Sequence, residues 1–414
     1  MRPTLVAALC AAAVPAGVCA QAESSPGIRL AGQAIPILSR TNAVPGGESL
    51  SEARLVQPVL MLQAGALGNW VRLDAMTDFE GWTMRNGELT TGAYGEGYYD
   101  RRHPHTYVHE LMLTLPDLLR DLDAPGRLAL AAGKGFAPFG TDDPMSRPAL
   151  LYPVNHHLSQ VLERAVVVGA VRTARDRVTL EGGLFNGDEP ERPAQWPNWS
   201  RFGDSWSVRL TVAPATGLEW QGSRAHVHSP EHRPGAGTDA EKWSTSLRWE
   251  RSPGYGLLEW AQTSEAGGLY VFHTLLAEGA WRVRRHRPYV RLERTERPEE
   301  QRVSDDAFRS VRPLSDNSIL GITRWTIGTV GYGYVAPTAG GRLTLQPTIE
   351  AIIARVARVG GGLFDPAVFY GRTTFSSFSF GVRIDWGMVG HRMGHYGGLR
   401  RSPEGEMTMP GMRN

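Results

Sequence analysis

Two groups of histidines in this 414-residue sequence are spaced so that they could do chemistry. His103 and His105 flank Pro104, and His156 and His157 are adjacent, with Asp142, Asp143 and Met145 a short way upstream. Neutral imidazole with carboxylate suits Cu²⁺, Ni²⁺ or Zn²⁺, so His103, His105, His156 and His157 are candidate metal ligands. The plainer reading is that they hydrogen-bond and pin loops to a wall, and the lack of a dense ligand spacing favours it. By alternation His109 falls on the face of Leu111 and Leu113, away from Glu110, and reads as an interfacial residue. His226, His228 and His232 run from a strand into a polar loop and read as solvated. Beyond Trp386 come Met388, His391, Met393, His395, Met407, Met409 and Met412, a thioether and imidazole set that would suit copper(I). Gly, Arg and Pro break up that segment, so it reads as a disordered tail. A hydrolytic set can be assembled from Asp142, Asp143, His156 and Ser159, but no spacing imposes a nucleophile–base–orienter geometry.

The elements that would position these residues are strands. From Ile28 onward, about ten residues alternate apolar and polar, then turn. Trp243, Thr245, Leu247 and Trp249 oppose Ser244, Ser246, Arg248 and Glu250. Trp206, Val208, Leu210 and Val212 oppose Ser205, Ser207, Arg209 and Thr211. Phe378, Phe380, Val382, Ile384 and Trp386 oppose Ser379, Gly381, Arg383 and Asp385. Sixteen strands are expected, near 28–39, 53–65, 70–79, 105–115, 127–137, 158–172, 177–187, 204–213, 217–228, 241–251, 255–264, 272–283, 287–296, 319–335, 342–356 and 372–386. Short connections alternate with long ones, which predicts an all-β, up-and-down antiparallel transmembrane barrel with short periplasmic turns and long extracellular loops. Both histidine pairs then lie at the long-loop end. Trp70, Trp206, Trp243, Trp260 and Trp386 read as strand-end aromatics of an interfacial girdle. A soluble sandwich would not put a long loop at every second connection, and a propeller would show a blade repeat that is not found.

Alternation also sorts the charges. Arg72, Asp74, Arg209, Glu219, Arg248, Glu250, Arg291, Glu293, Arg342, Glu350, Arg383 and Asp385 are expected to line a lumen carrying both signs. Such charges suit a hydrated pore or ion pairs in a plugged barrel equally well, and the two stay open.

Composition narrows the partners. There are 44 basic and 42 acidic residues, a formal net charge of +2, which argues against a nucleic-acid binder. No run after residue 20 reaches the ~20 apolar positions of a membrane helix. Residues 1–20 have a positive end at Arg2, an apolar run and a small-residue cleavage site at Ala20, the pattern of an export signal. Cleavage there would remove Cys10 and Cys19 and leave no cysteine for disulfides. Residues 21–386 would form the barrel and 387–414 the periplasmic tail.

Two stretches are similar to segments of a family of uncharacterised Gram-negative outer-membrane barrels. One is Asp100-Arg101-Arg102-His103-Pro104-His105, running into Glu110-Leu111. The other runs through Asn155-His156-His157 to Leu184-Phe185-Asn186-Gly187-Asp188-Glu189-Pro190. Thr106 stands where that family often has aspartate, so an acidic ligand there is in doubt. The resemblance implies a porin-like architecture and no settled substrate. The expected function is passive diffusion of small hydrophilic solutes or ions across the outer membrane. A metal-related barrel using the rim histidines and a barrel hydrolase are the alternatives. No cofactor is required by any motif, with copper or zinc at the rim histidines the one candidate. Outer-membrane lipids, the barrel-assembly machinery and small solutes are the expected partners, and a homo-oligomer is compatible with the sequence.

Overall fold

Period-2 alternation requires a different environment on each face of a strand, and the chain creates both by closing on itself. In the computed structural model, residues 27–43, 45–82, 105–122, 124, 126–141, 146–153, 160–173, 175–190, 192–230, 235–300, 319–338, 342–387 and 392–397 are described. Sixteen strands make one closed antiparallel barrel. They are β1 Ile28–Thr41, β2 Leu50–Ala66, β3 Val71–Asp78, β4 Val108–Leu115, β5 Gly126–Gly135, β6 Arg164–Thr173, β7 Val178–Phe185 and β8 Ser205–Ala215. The second half comprises β9 Leu218–Val227, β10 Ala240–Arg251, β11 Gly254–Glu265, β12 Tyr270–Trp281, β13 His286–Glu300, β14 Ile319–Tyr334, β15 Leu343–Val359 and β16 Thr374–Gly387. Each strand pairs with its neighbours in sequence, and β1 closes on β16 with Ala34 opposite Ile384 and Leu38 opposite Phe380.

Every expected strand is present. The largest shift is in β6, which begins at Arg164 instead of near 158, because Gln160, Val161 and Glu163 are buried within the barrel as the end of an inward loop. Connections alternate as 67–70, 174–177, 216–217, 252–253 and 282–285 at one end, against 79–107, 136–163, 186–204, 228–239, 301–318 and 360–373 at the other. Three depart from the pattern: 266–269 is short at the long-loop end, and 116–125 and 335–342 are longer at the short-turn end. In the tight turn 216–217, Gly217 sits at φ 77°, a left-handed backbone that a side chain would strain. Pro366–Tyr370 in the last long connection forms one short helix, capped by Asp365 Oδ1, which accepts from Ala367 N at 2.8 Å.

The outer face is apolar and exposed, with Leu113, Leu258, Leu292, Val330, Ile353 and Phe378 all pointing away from the lumen. Such a surface is suited to lipid. Near the long-loop end, the Arg224 guanidinium lies 5.6 Å from the Trp206 ring and 4.6 Å from that of Trp243. At the short-turn end Trp249 and Trp281 stack at 6.1 Å. Two aromatic levels therefore flank the apolar band, and Trp260, expected at a strand end, instead faces out in mid-strand opposite Thr245. Val382 lies on the outer apolar row of β16. Val382→Arg should cost ~2–4 kcal/mol if it lies near the bilayer midplane, read as a lower denaturant midpoint in lipid vesicles.

Candidate functional site

Inside the barrel, the polar residues of alternating strands meet two inserted segments. The first is the connection 136–163. Phe136, Ala137, Phe139 and residues 149–152 of this connection are buried, because it crosses the lumen from wall to wall. At one side Gly140 N donates to Ser223 Oγ at 3.0 Å and Arg209 donates to Gly140 O at 3.3 Å. In the middle Thr141 Oγ1 donates to Glu259, and Arg147 meets Glu259 at 3.1 Å and Glu278 at 3.7 Å. At the other side Leu150 N donates to Glu350 at 2.9 Å. Arg383 donates to Arg147 O at 3.0 Å, and Arg291 to Leu151 O at 2.8 Å. Buried carbonyls and amides of a loop must find partners, and the wall charges supply them.

The second inserted segment is residues 392–397. Arg392 makes a two-pronged pair with Glu219 at 2.7 and 3.0 Å, and Arg209 donates to Gly394 O. The Tyr396 hydroxyl accepts from Phe136 N at 3.0 Å, and Tyr396 packs with Met112, Val168 and Phe185. This part of the chain lies in the lumen, which corrects the expectation of a disordered periplasmic tail. The physical reason is that Arg392 and Tyr396 find buried partners that a free tail would lack. Met388, His391, Met407, Met409 and Met412 lie outside the described residues.

The sequence-predicted lumen residues are placed as follows. Arg209 pairs with Glu181 at 2.6 Å, Arg248 with Glu250 at 2.6 Å, and Arg72 with Asp74 at 2.7 Å. Arg291 pairs with Glu278 at 2.8 Å and lies 3.9 Å from Glu293. Glu350 also accepts from the Tyr289 hydroxyl at 2.8 Å, and Asp385 is buried beside Arg383 on the inner face of β16. Arg342 is corrected: it precedes β15 in the turn, is exposed, and its carbonyl accepts from Gly387 N. Its parity was right, but the strand starts one residue later. Arg147, Glu259, Glu278 and Arg392 were missed. The two glutamates were findable, because Glu259 alternates with outward Leu258 and Trp260, and Glu278 shares that inward parity in β12.

At the long-loop rim, only His105 of the four candidate histidines is described; His103, His156 and His157 lie outside, as do residues 100–104 of the resembling segment and the Asp142, Asp143, His156, Ser159 set. His105 does not meet another candidate histidine among the described residues. Its Nδ1 lies 3.4 Å from Asp78 Oδ2 and 3.2 Å from Glu80 Oε2, with all three side chains buried. Asp78 ends β3 and Glu80 opens the 3-10 turn Glu80–Trp82. Its acidic neighbours among the described residues come from the end of β3 and the turn that follows it. Burial pulls the His105 imidazole down, but the adjacent Asp78 and Glu80 carboxylates outweigh it and hold it well above its ordinary value. Burial and the Asp78 charge push Glu80 up to about 6, against the pull of His105.

Beside this cluster, His109 corrects its expected outward position. Met76 pairs with Glu110 and Thr77 with Val108, so His109 is the extra residue of a β-bulge. The bulge turns His109 inward next to Glu110, where its Nδ1 lies 2.5 Å from Glu163 Oε1. Glu163 also accepts from Thr106 N at 2.7 Å, and Lys134 donates to Thr106 Oγ1. Glu163 takes φ 58°, a left-handed turn that swings the chain from the inward loop into β6. Burial raises Glu163, but His109 and Lys134 together pull it below the usual carboxylate range. His226 and His228, expected to be solvated, are partly exposed and pair with Glu241 at 2.7 Å and Asp239 at 2.6 Å.

No family model matches the sequence, and no curated protein matches it. Solved structures do. OmpF of Salmonella typhi, in complex with daunomycin, aligns with TM-score 0.51 and 8% identity over 87% of this chain and 97% of its own. DcaP, an outer membrane channel of Acinetobacter baumannii, aligns with TM-score 0.50 and 10% identity over 88% and 99%. OmpT, an outer membrane protein of Vibrio cholerae, aligns in its trimer form with TM-score 0.50 and 9% identity over 87% and 99%. At such identities the likeness is one of fold. The chain has the closed sixteen-stranded barrel of outer-membrane porins.

Proposed function

We propose that the protein is a narrow porin-like channel of the outer membrane, passing small hydrophilic solutes or ions by passive diffusion. The observation that supports this reading best is the inversion of polarity across one closed wall. Apolar side chains face out, while Arg–Glu pairs face in and are bridged by a loop bonded to both sides of the lumen. A soluble protein would have the opposite arrangement. A loop across the lumen sets the width of the path, and a wall carrying both signs gives weak ion selectivity. Export with cleavage after Ala20, assembly by the outer-membrane insertion machinery and association into a homo-oligomer belong to the same reading.

Purified protein in a planar bilayer should give small ohmic steps with weak selectivity. The mature chain should fractionate with the outer membrane and show heat-modifiable mobility on gels. Silence in the bilayer would remove the channel reading. Recovery as a soluble periplasmic protein would remove the membrane barrel as well.

A further inference from the structure

The channel reading gives no role to the buried cluster where β3 ends and β4 begins. We propose that Asp78, Glu80 and His105 bind a divalent transition-metal ion of the zinc class, which joins the two ends of the connection between β3 and β4.

The backbone places the three residues together. β3 and β4 are antiparallel neighbours, with Thr77 opposite Val108, so residues far apart in sequence meet at the rim. Each carboxylate is held by one oxygen. Asp78 Oδ1 accepts from Glu80 N at 2.9 Å, and Glu80 Oε1 accepts from Gln57 N at 2.7 Å. These bonds turn the other oxygens, Oδ2 and Oε2, toward His105 Nδ1 at 3.4 and 3.2 Å. Those separations are long for charge-assisted hydrogen bonds, which run ~2.7–2.9 Å. They match the ligand-to-ligand edge of a tetrahedral site, because bonds of ~2.0–2.1 Å from a central zinc place neighbouring ligands about 3.3 Å apart. The backbone amides act as the outer shell that orients ligands and is common to such sites.

The donor set narrows the ion. Two carboxylate oxygens and one imidazole nitrogen are borderline ligands, too few for calcium and too hard for copper(I). Two buried carboxylates with a neutral imidazole carry two negative charges, which one divalent cation cancels. Three protein ligands leave a fourth position for water.

The test uses the full-length mature barrel in detergent micelles, stripped with a chelator and titrated calorimetrically with Zn²⁺ alone. One saturable equivalent per barrel is expected, with a higher temperature for loss of the heat-modifiable form. His105→Ala and Glu80→Gln should each lower the affinity by more than ~100-fold, beyond the range of outer-shell changes. His226→Ala, at the separate histidine–carboxylate pair with Glu241, should leave binding unchanged. Glu80→Gln keeps the size and the acceptor for Gln57 N, so it carries the test if His105→Ala does not fold. Co²⁺ bound to the unaltered protein should show the strong visible absorption of a four-coordinate site, independently of any variant. Absence of a saturable equivalent, or one that survives both substitutions, would overturn the proposal and leave His105 as a protonated bridge between two carboxylates.

Discussion

A chain ending at Gly390 should fold and conduct several-fold more current than the full-length protein, whereas a chain ending at Ser377 should form no barrel at all. The second half of this expectation follows from closure. β16 is hydrogen-bonded on both edges, to β15 and to β1, with Phe378 opposite Ala351 on one side and Arg40 on the other. Removing residues from Phe378 onward would open both ladders within the bilayer, where each unsatisfied backbone group costs several kcal/mol. The first half follows from the bonds of residues 392–397. Their loss would leave Arg209 its buried partner Glu181, and would leave Glu219 partly solvated. Neither change strands a buried charge, so the barrel should persist while the lumen widens. Heat-modifiable mobility reports folding and bilayer conductance reports width. Equal folding of both truncations would mean that the closing strand lies elsewhere. Unchanged current would mean that the tail lies out of the path.

Arg147→Ala is expected to have the other large effect. Arg147 is almost fully buried and reaches Glu259 on β11 and Glu278 on β12, pinning the inward loop to that wall. Glu278 would keep Arg291 and the Tyr255 hydroxyl, at 2.8 and 2.6 Å. Glu259 would keep Thr141 but lose the guanidinium, so the penalty falls on a buried carboxylate that loses a charged partner. Removing one partner of a buried pair costs ~3–5 kcal/mol. The simplest relief is for the loop to move and water to enter. Conductance should therefore rise, and the zero-current potential in a salt gradient should shift toward cation selectivity as Glu259 faces the path. Arg147→Lys should restore part of the effect, because ammonium replaces the charge but not the two-directional reach of guanidinium. Unaltered conductance and selectivity would show that the loop does not set the width.

The tail and the inward loop have no strand pattern, and there the sequence was least legible. The strands themselves were readable because alternation is a local property. Whether Trp243 or Ser244 faces lipid is decided by their own positions in one stretch of chain, and the structure agrees along β8, β10 and β16. Errors arose where one residue breaks the period. His109 was misplaced because the bulge opposite Met76 and Thr77 is a property of pairing, invisible in β4 alone. Arg342 was misplaced because parity cannot say where a strand stops. Glu259 and Glu278 needed only the parity argument applied once more.

The candidate site was half legible. The sequence marked His105 as a rim residue, but sought its partners among other histidines, since those are conspicuous in a linear reading. Its partners among the described residues, Asp78 and Glu80, are ordinary strand-end acids, chosen only because β3 lies beside β4. What the sequence by itself determined is therefore the closed barrel, its strand number and the side that strand residues face wherever no bulge intervenes, all consequences of period and turn spacing. What only the tertiary structure decided is the content of the lumen: the loop pinned by Arg147, the inserted Tyr396 and the triad at the rim. Those contacts join residues dozens to hundreds of positions apart, and they form where buried charges and backbone groups find partners, a condition that no local pattern encodes.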